Sequence, residues 1–194
     1  MTFSTSSLRA SVLPQSSALT NASIIAGGVL FLSVLAQIAI PVPGSPVPVT
    51  GQTLGVLLIG TSYGAGLGIA TYLFYLLAGI AGAPVFAGSS HGLEKITGAT
   101  GGYLIGMLLA TYFLGFFAKR QLDQKFLTAL PAMLFANGII FLCGVSWLHY
   151  FTGKDWAWSI NAGLTPFIMG EMLKIAIAGT SLPILWRVVN SKKK

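Results

Sequence analysis

The sequence predicts an all-α integral membrane protein, a bundle of six transmembrane helices with both termini in the cytoplasm. The first observation is composition: of 194 residues, 54% are hydrophobic and 8% are charged, and the mean hydropathy is +0.80. Soluble domains carry about 25% charged residues, so this surface cannot face water on all sides. The second observation is a set of long apolar runs, and the third is the distribution of the positive charges along the chain.

The predicted organisation is one membrane domain between two short tails. We expect a cytoplasmic N-terminal tail at 1–21, six helices within 22–188, and a basic cytoplasmic C-terminal tail at 189–194. The N-terminal segment is rich in Ser and Thr and contains Arg9 but no acidic residue, a composition also found in organellar transit segments. A cytoplasmic tail is the favoured interpretation of this segment.

Four apolar segments are each long enough to cross about 30 Å of hydrocarbon. They lie at 22–40, 101–118, 127–150 and 164–188. A fifth region, 52–80, is either one overlong helix or two short helices. The glycines of its GTSYGAG stretch favour a break.

The positive charges favour six helices over five, because Lys and Arg concentrate in cytoplasmic loops. With six helices and a cytoplasmic N-terminus, eight cations lie inside and only Lys95 and Lys154 lie outside. With five helices the KRQLDQK loop and the SKKK tail move outside, and the asymmetry is lost. We therefore predict a short second helix near 52–62. The eight cytoplasmic cations are Arg9, Lys119, Arg120, Lys125, Arg187, Lys192, Lys193 and Lys194.

Composition also argues against several functions. The net charge of +7 is scattered over loop ends, where it suits anionic lipid better than nucleic acid. Cys143 is the only cysteine, and His91 and His149 are far apart in sequence, so we expect no metal site and no cofactor. No arrangement of residues indicates a catalytic triad, so no catalytic residue is predicted.

Two predicted external loops are too long and too apolar for simple linkers. The first, IPVPGSPVPVTGQTL, has four prolines that favour a stiff, extended segment. The second, GAPVFAGSSHGLEKITGATGGYL, is rich in glycine, and long ordered loops are usually lids or binding loops. Its GATGGY stretch lacks the Gly-Lys-Ser/Thr of a phosphate-binding loop, so the chain is not expected to hydrolyse ATP by itself.

The segment TPFIMGEMLK places two charges inside an apolar helix. Glu171 and Lys174 are three residues apart and therefore share one helix face. A charge near the bilayer centre costs on the order of 3 kcal/mol, so such residues are candidates for function. The alternative is an ion pair that only tightens helix packing. Together with the two loops, the pair predicts a pocket at the outer end of the bundle.

Four segments, PVPVTGQTLGVLL, GAPVFAGSSHG, GATGGYLIG and TPFIMGEMLK, resemble in order and spacing the signatures of the BioY family. These proteins are biotin-binding S components of energy-coupling factor (ECF) transporters. The resemblance runs from about residue 20 to residue 188. It implies the S-component fold in the plasma membrane, with an external vitamin site covered by the two loops. It also implies a transmembrane scaffold protein and two ABC-type ATPase subunits as partners.

The resemblance further implies a set of substrate-binding residues. Glu171 replaces the family's usual Asp, and His91 and GAT stand where Gly and Pro-Thr are commoner, so the pocket geometry is expected to differ. Tyr75 and Asn137 are further lining candidates, with core packing as their alternative. The residues matched to the family's motifs are Gln52, Thr53, Phe86, Gly88, Gly101, Gly102, Tyr103, Glu171 and Lys174.

Helix 1 carries Ala18, Ala22 and Ala26, a spacing that permits close contact with another helix. The family docks its scaffold protein on an alanine-rich face of this helix, so these residues are predicted to dock the partner. Packing within the bundle is the alternative.

The leading functional hypothesis is high-affinity capture of biotin at the external face and its ATPase-driven delivery inward. Glu171 is expected to accept ureido N–H groups, and Lys174 to bond the ureido oxygen or pair with Glu171. The carboxylate tail is expected to meet backbone N–H groups of a glycine loop or Lys95, and the orientation of biotin stays open. The alternatives are an S component for riboflavin or thiamine, and an intramembrane enzyme that uses Glu171 as acid–base.

Overall fold

The computed structural model describes residues 7–14 and 17–191, and these residues form an almost entirely helical bundle. Five of its helical stretches are long and apolar enough to cross a membrane. Four are single helices: α2 (Ala18–Gln37), α3 (Gln52–Ile80), α5 (Gly101–Lys119) and α6 (Phe126–Thr152). The fifth combines α7 (Trp156–Gly163), a 3₁₀ turn (Thr165–Phe167) and α8 (Ile168–Ser191).

Helical structure extends into both segments predicted as tails. A short helix, α1 (Leu8–Val12), packs against α3 and α8 with Leu8 buried. The next helix, α2, begins at Ala18 rather than at 22, because the Ser17 hydroxyl caps it by accepting from the Thr20 amide at 3.1 Å. At the other end, α8 runs to Ser191. Residues 192–194 of the predicted basic tail lie outside the described residues.

The predicted break in 52–80 is present and lies at Gly64. This residue has φ 77° and ψ 171°, a combination that is essentially restricted to glycine. The break divides α3 into a short first half, close to the predicted 52–62 helix, and a longer second half. If both halves are counted, the described chain has six helical segments, but the six transmembrane helices and the cytoplasmic placement of the termini stay predictions.

The centre of the bundle is formed by α3, α5 and α6, which approach closely at glycines. A methyl group on Gly115 would overlap the backbone of Ala65, and one on Gly144 would overlap the Tyr103 ring. By contrast, α2 is peripheral: Leu30 is 67% exposed and Val34 is 64% exposed. Such apolar outer surfaces suit lipid, and small residues at helix contacts are typical of membrane bundles.

The two long loops are ordered. The proline-rich segment is a hairpin in which β1 (Ala39–Ile40) pairs antiparallel with β2 (Val49–Thr50). It is therefore not simply the extended segment predicted, since Gly44 turns the chain with φ 78°. The second loop contains a 3₁₀ turn (Ala87–Ser89) and the short helix α4 (Leu93–Thr97).

The turn between α5 and α6 is fastened to α8 by a buried carboxylate. Asp123 is 3% exposed, and its Oδ2 accepts from Trp186 Nε1 at 2.5 Å. Its Oδ1 is buried with no hydrogen-bond partner in the described part of the chain. Burial raises the pKa of Asp123 to about 6, although the Trp186 hydrogen bond opposes this shift.

Candidate ligand-binding site

A cavity that is partly open to solvent lies at the end of the bundle where α3, α5 and α8 begin. Its walls are mostly apolar and carry a few polar groups, as is typical of small-molecule sites. Both long loops contribute to its walls, as the sequence predicted. Its lining consists of Pro46, Val47, Pro48, Thr50, Gln52, Thr53, Phe86, Ala87, Ser90, Lys95, Thr100, Tyr103, Leu104, Met107, Ile140, Phe141, Phe167 and Glu171.

Glu171 contributes a carboxylate to the lining of this site. It is 4% exposed because it lies in the first turn of α8, facing the start of α3. Its Oε1 accepts from Lys174 Nζ at 2.6 Å and from Thr53 Oγ1 at 2.8 Å. The predicted Glu171–Lys174 pair is therefore formed, and it lies inside the bundle.

Lys174 connects α8 to the proline-rich hairpin. Besides Glu171, its Nζ donates to the Thr50 carbonyl at 2.6 Å and to Thr53 Oγ1 at 3.0 Å. An ammonium group has three N–H donors, so these bonds use all of them. Lys174 is also absent from the cavity lining. In this arrangement it orients Glu171 and the hairpin and has no donor left for a ligand.

The second oxygen of Glu171 is the available acceptor. Oε2 is buried and has no hydrogen-bond partner among the described residues, while Glu171 itself lines the cavity. Buried polar atoms are nearly always hydrogen-bonded, and an unpaired one costs about 1–3 kcal/mol. The site is thus suited to a ligand that donates an N–H or O–H group to this oxygen.

Gln52 and Tyr75 form a buried chain that leads to the second loop. Gln52 Nε2 donates to the Tyr75 hydroxyl at 2.6 Å, which donates to the Val85 carbonyl at 3.1 Å. Gln52 lines the cavity, as predicted, and Tyr75 does not. Tyr75 instead contacts the lining residue Phe86 and the Val85 carbonyl without lining the cavity itself.

Phe86 forms part of the cavity wall, as predicted. Its ring is 3% exposed and lies edge-on to Tyr75 with centroids 5.5 Å apart. It also covers Gly79 so closely that a methyl group there would overlap the ring. Gly88 does not line the cavity; its φ of 67° serves the turn after Phe86.

Of the predicted Gly-Gly-Tyr, only Tyr103 lines the cavity. The Tyr103 hydroxyl donates to the Gly163 carbonyl at 2.7 Å, which fixes the ring. A methyl group on Gly101 would overlap the Ile96 carbonyl oxygen, and one on Gly102 would overlap Trp147. These two glycines therefore permit close packing rather than offering backbone N–H groups to the cavity.

Asn137 is buried in α6 but is not among the lining residues. Both atoms of its side-chain amide are without a hydrogen-bond partner in the described residues. It lies one turn before Ile140, which does line the cavity. Trp147, another aromatic residue of α6, donates its Nε1–H to the Gly98 carbonyl at 2.8 Å and so fastens the second loop.

Sequence reasoning missed the apolar walls. These are Met107 on α5, Ile140 and Phe141 on α6, and Phe167 before α8. Phe167 lies within the TPF segment already singled out, and Met107 lies one helical turn after Tyr103, so spacing offered a signal for both. Nothing in the sequence distinguishes Ile140 and Phe141 from ordinary core residues.

The rim of the cavity carries one cation, Lys95 of α4, in the described chain. The site therefore combines a buried acceptor, apolar walls and a positive rim. No group of three or more metal-ligating side chains was found among the described residues.

The three alanines predicted for partner docking, Ala18, Ala22 and Ala26, are all exposed on α2. They are thus not used for packing within the described bundle, and their role in docking stays a prediction.

Comparisons with known proteins agree on one family. The model of the BioY family matches residues 7–191. A protein named biotin transporter BioY2 from Lactococcus lactis is 33% identical over 171 residues, covering 87% of this chain and 92% of the relative. A probable biotin transporter BioY from Pyrococcus horikoshii is 38% identical over 156 residues, covering 80% of this chain and 90% of the relative.

The fold agrees with the sequence matches. A crystal structure of the S-component for biotin from an ECF-type ABC transporter superposes with a TM-score of 0.80. That match has 23% sequence identity and covers 89% of this chain and 95% of the other. The chain has the S-component fold of a multi-pass membrane protein, and it belongs to the BioY family.

Proposed function

We propose that this protein is the high-affinity biotin-binding S component of an ECF-type vitamin uptake transporter in the plasma membrane. Its relatives are named biotin transporters. The observation that carries the proposal is a cavity lined by Glu171, whose Oε2 is buried without a hydrogen-bond partner among the described residues. Biotin is the transported ligand in this proposal and not a cofactor, and the chain is not an enzyme.

The chemistry of biotin matches the three parts of the site. Its ureido ring supplies N–H donors for Glu171 Oε2, the acceptor that the protein leaves unpaired. Its thiophane body suits the apolar walls around Met107 and Phe167. Its carboxylate tail suits the rim, where Lys95 is exposed. We therefore propose that biotin enters with its ureido end first.

Inward delivery requires partners that this chain does not supply. We propose a transmembrane scaffold protein and two ABC-type ATPase subunits, with Ala18, Ala22 and Ala26 at the contact with the scaffold. Support comes from the exposure of all three alanines on a helix that is mostly unburied. The lipid bilayer surrounds the rest of the bundle.

Calorimetric titration of the detergent-solubilised protein with biotin tests the site. We expect tight binding by the wild type and a loss of about 2–5 kcal/mol of binding free energy in Glu171→Ala, since a buried acceptor is removed. Biotin-amide should bind more weakly than biotin if the tail carboxylate meets Lys95. Lys174→Ala should also weaken binding strongly, because Lys174 orients Glu171. Lys154→Ala, which changes an exposed lysine outside the cavity lining, is its matched control.

Loss of binding must be separated from loss of folding. Lys174→Met leaves Glu171 buried without its cation and should destabilise the protein by about 3–5 kcal/mol. The double variant Glu171→Gln/Lys174→Met removes both charges and should recover much of that stability while binding stays weak. Full biotin affinity in the stable double variant would reject this site.

The alternative ligands are riboflavin and thiamine, since an S component for either would share the bundle. Competition against labelled biotin distinguishes them. Displacement by riboflavin or thiamine at concentrations similar to unlabelled biotin would contradict biotin specificity.

A further inference from the structure

Gln37, the last residue of α2, is bonded to the second loop through its whole side-chain amide. Its Oε1 accepts from the Ser89 amide at 2.9 Å and from Ser89 Oγ at 3.1 Å. Its Nε2 donates to the Phe86 carbonyl at 3.2 Å and to the Ser33 carbonyl of α2 at 3.1 Å. All the hydrogen-bonding capacity of the amide is used, and three of the four bonds cross to the loop.

The segment held by Gln37 is a tight turn, which we call the 86–90 turn. The Phe86 amide donates to the Ser90 carbonyl at 3.0 Å and closes it. Within it, Gly88 has φ 67° and Ser89 has φ 56°. The left-handed conformation is unfavourable for a non-glycine residue such as Ser89, so the turn needs support from outside.

The 86–90 turn is also a wall of the ligand cavity. Phe86, Ala87 and Ser90 all line it. Tyr75 packs against Phe86 at the start of the turn. Gly88 and Ser89, which form the tip of the turn, are exposed. Among the described residues, Gln37 is the one side chain of another element that is hydrogen-bonded to the 86–90 turn.

We propose that Gln37 is a positioning residue that holds the 86–90 turn closed over the cavity and so sets how slowly the ligand leaves. That the ligand is biotin rests on the function proposed above. Gln37 is itself exposed, so water competes for its hydrogen bonds. The closed turn is therefore stabilised modestly and opens reversibly, as uptake and release of a ligand require.

The closing contact can be tested without any ligand. Amide hydrogen exchange of the purified protein should show Ser89 protected in the wild type and exchanging about tenfold faster in Gln37→Leu, since its acceptor is lost. Gln124→Leu, the same change in the turn between α5 and α6, is the control and should leave Ser89 protected. Unchanged protection of Ser89 in Gln37→Leu would overturn the proposal.

The effect on the ligand is measured as the dissociation rate of radiolabelled biotin. Gln37→Leu should release biotin about tenfold faster, equivalent to 1.4 kcal/mol, with little change in the association rate. Gln37→Glu keeps an acceptor for Ser89 but loses the donor to Phe86, so its rate should be intermediate. A residue that only stabilises the fold would change both rates or neither.

A double-mutant cycle tests whether Gln37 acts through Ser89. Ser89→Ala removes one hydrogen bond and should accelerate biotin release slightly in the wild type but not in Gln37→Leu. Additive effects, or dissociation unchanged in Gln37→Leu, would overturn the proposal. If the wild type does not bind biotin, the proposed function fails, and the exchange of Ser89 still decides whether Gln37 holds the turn.

Discussion

At the residue scale, the site depends on the Glu171 carboxylate, which has hydrogen-bond partners on only one of its two oxygens among the described residues. Lys174 and Thr53 occupy one oxygen of Glu171, and the other oxygen is buried without a hydrogen-bond partner in the described part of the chain. Replacing a buried ion pair with apolar residues is often neutral or stabilising. Stability alone therefore does not explain the pair, and the proposed recognition of a ligand N–H group would.

Asp123 is a second buried carboxylate, and it gives the protein a predictable pH dependence. Its pKa of about 6 in the folded protein lies above the unfolded value near 3.9, so the folded state binds more protons in this window. The neutral acid stabilises the fold below about pH 4. That contribution, on the order of 3 kcal/mol, is lost as the pH rises through about 6.

Asp123→Asn should remove this dependence, because asparagine keeps an acceptor for Trp186 and cannot ionise. We expect the variant to melt at a higher temperature than the wild type at pH 7, and the difference to shrink as the pH falls towards 4. The melting temperatures of both proteins, recorded in the same detergent from pH 4 to pH 7, test this expectation. A difference that stays constant with pH would show that Asp123 does not titrate as described.

At the element scale, the main irregularity is the break in α3. Gly64 adopts φ 77° and ψ 171°, which lets a 29-residue helix divide into two segments. Its neighbour Ala65 lies against Gly115 of α5, where there is no room for a side chain. The break thus comes from conformation at one glycine and from close packing at another.

Gly64→Ala should destabilise the protein by about 1–3 kcal/mol, because alanine is strained at this backbone conformation. Gly66→Ala is the matched control: Gly66 has open space around its Cα, and alanine is the better helix former by about 1 kcal/mol. Thermal unfolding in detergent should therefore move in opposite directions in the two variants. Equal shifts would indicate that the break tolerates a side chain.

At the scale of the whole molecule, the cavity and the turn containing Asp123 lie at opposite ends of the bundle. The cavity is lined by the beginning of α5, and Asp123 follows the end of that helix. The distribution of Lys and Arg predicts that the end with Asp123 is cytoplasmic. The cavity would then open to the outside of the cell, the side from which a vitamin is taken up.

Labelling of single cysteines in intact cells tests this orientation. In a Cys143→Ser background, His91→Cys and Lys154→Cys should react with a membrane-impermeant maleimide, because both positions belong to the predicted outer loops. Gln124→Cys should react only after the cells are permeabilised. The opposite pattern would invert the predicted topology and place the cavity at the cytoplasmic face.

The sequence by itself determined the membrane class, the positions of the long helices, the break near Gly64 and the placement of Glu171 and Lys174 on one helix face. Each of these depends on hydropathy, glycine content or helical spacing, and all three are local properties of the chain. The family followed from four short segments in order. The sequence also identified six residues that line the cavity: Gln52, Thr53, Phe86, Lys95, Tyr103 and Glu171.

Only the tertiary structure decided which predicted residues line the cavity and which support it. Tyr75, Gly102 and Lys174 carry the right chemistry, but helix packing directs them to Gln52, to Trp147 and to the hairpin. Ile140 and Gln37 have no distinctive local pattern, and each acquires its role from elements distant in sequence. Contacts over such separations depend on how the helices pack, and no single segment of the chain specifies this packing.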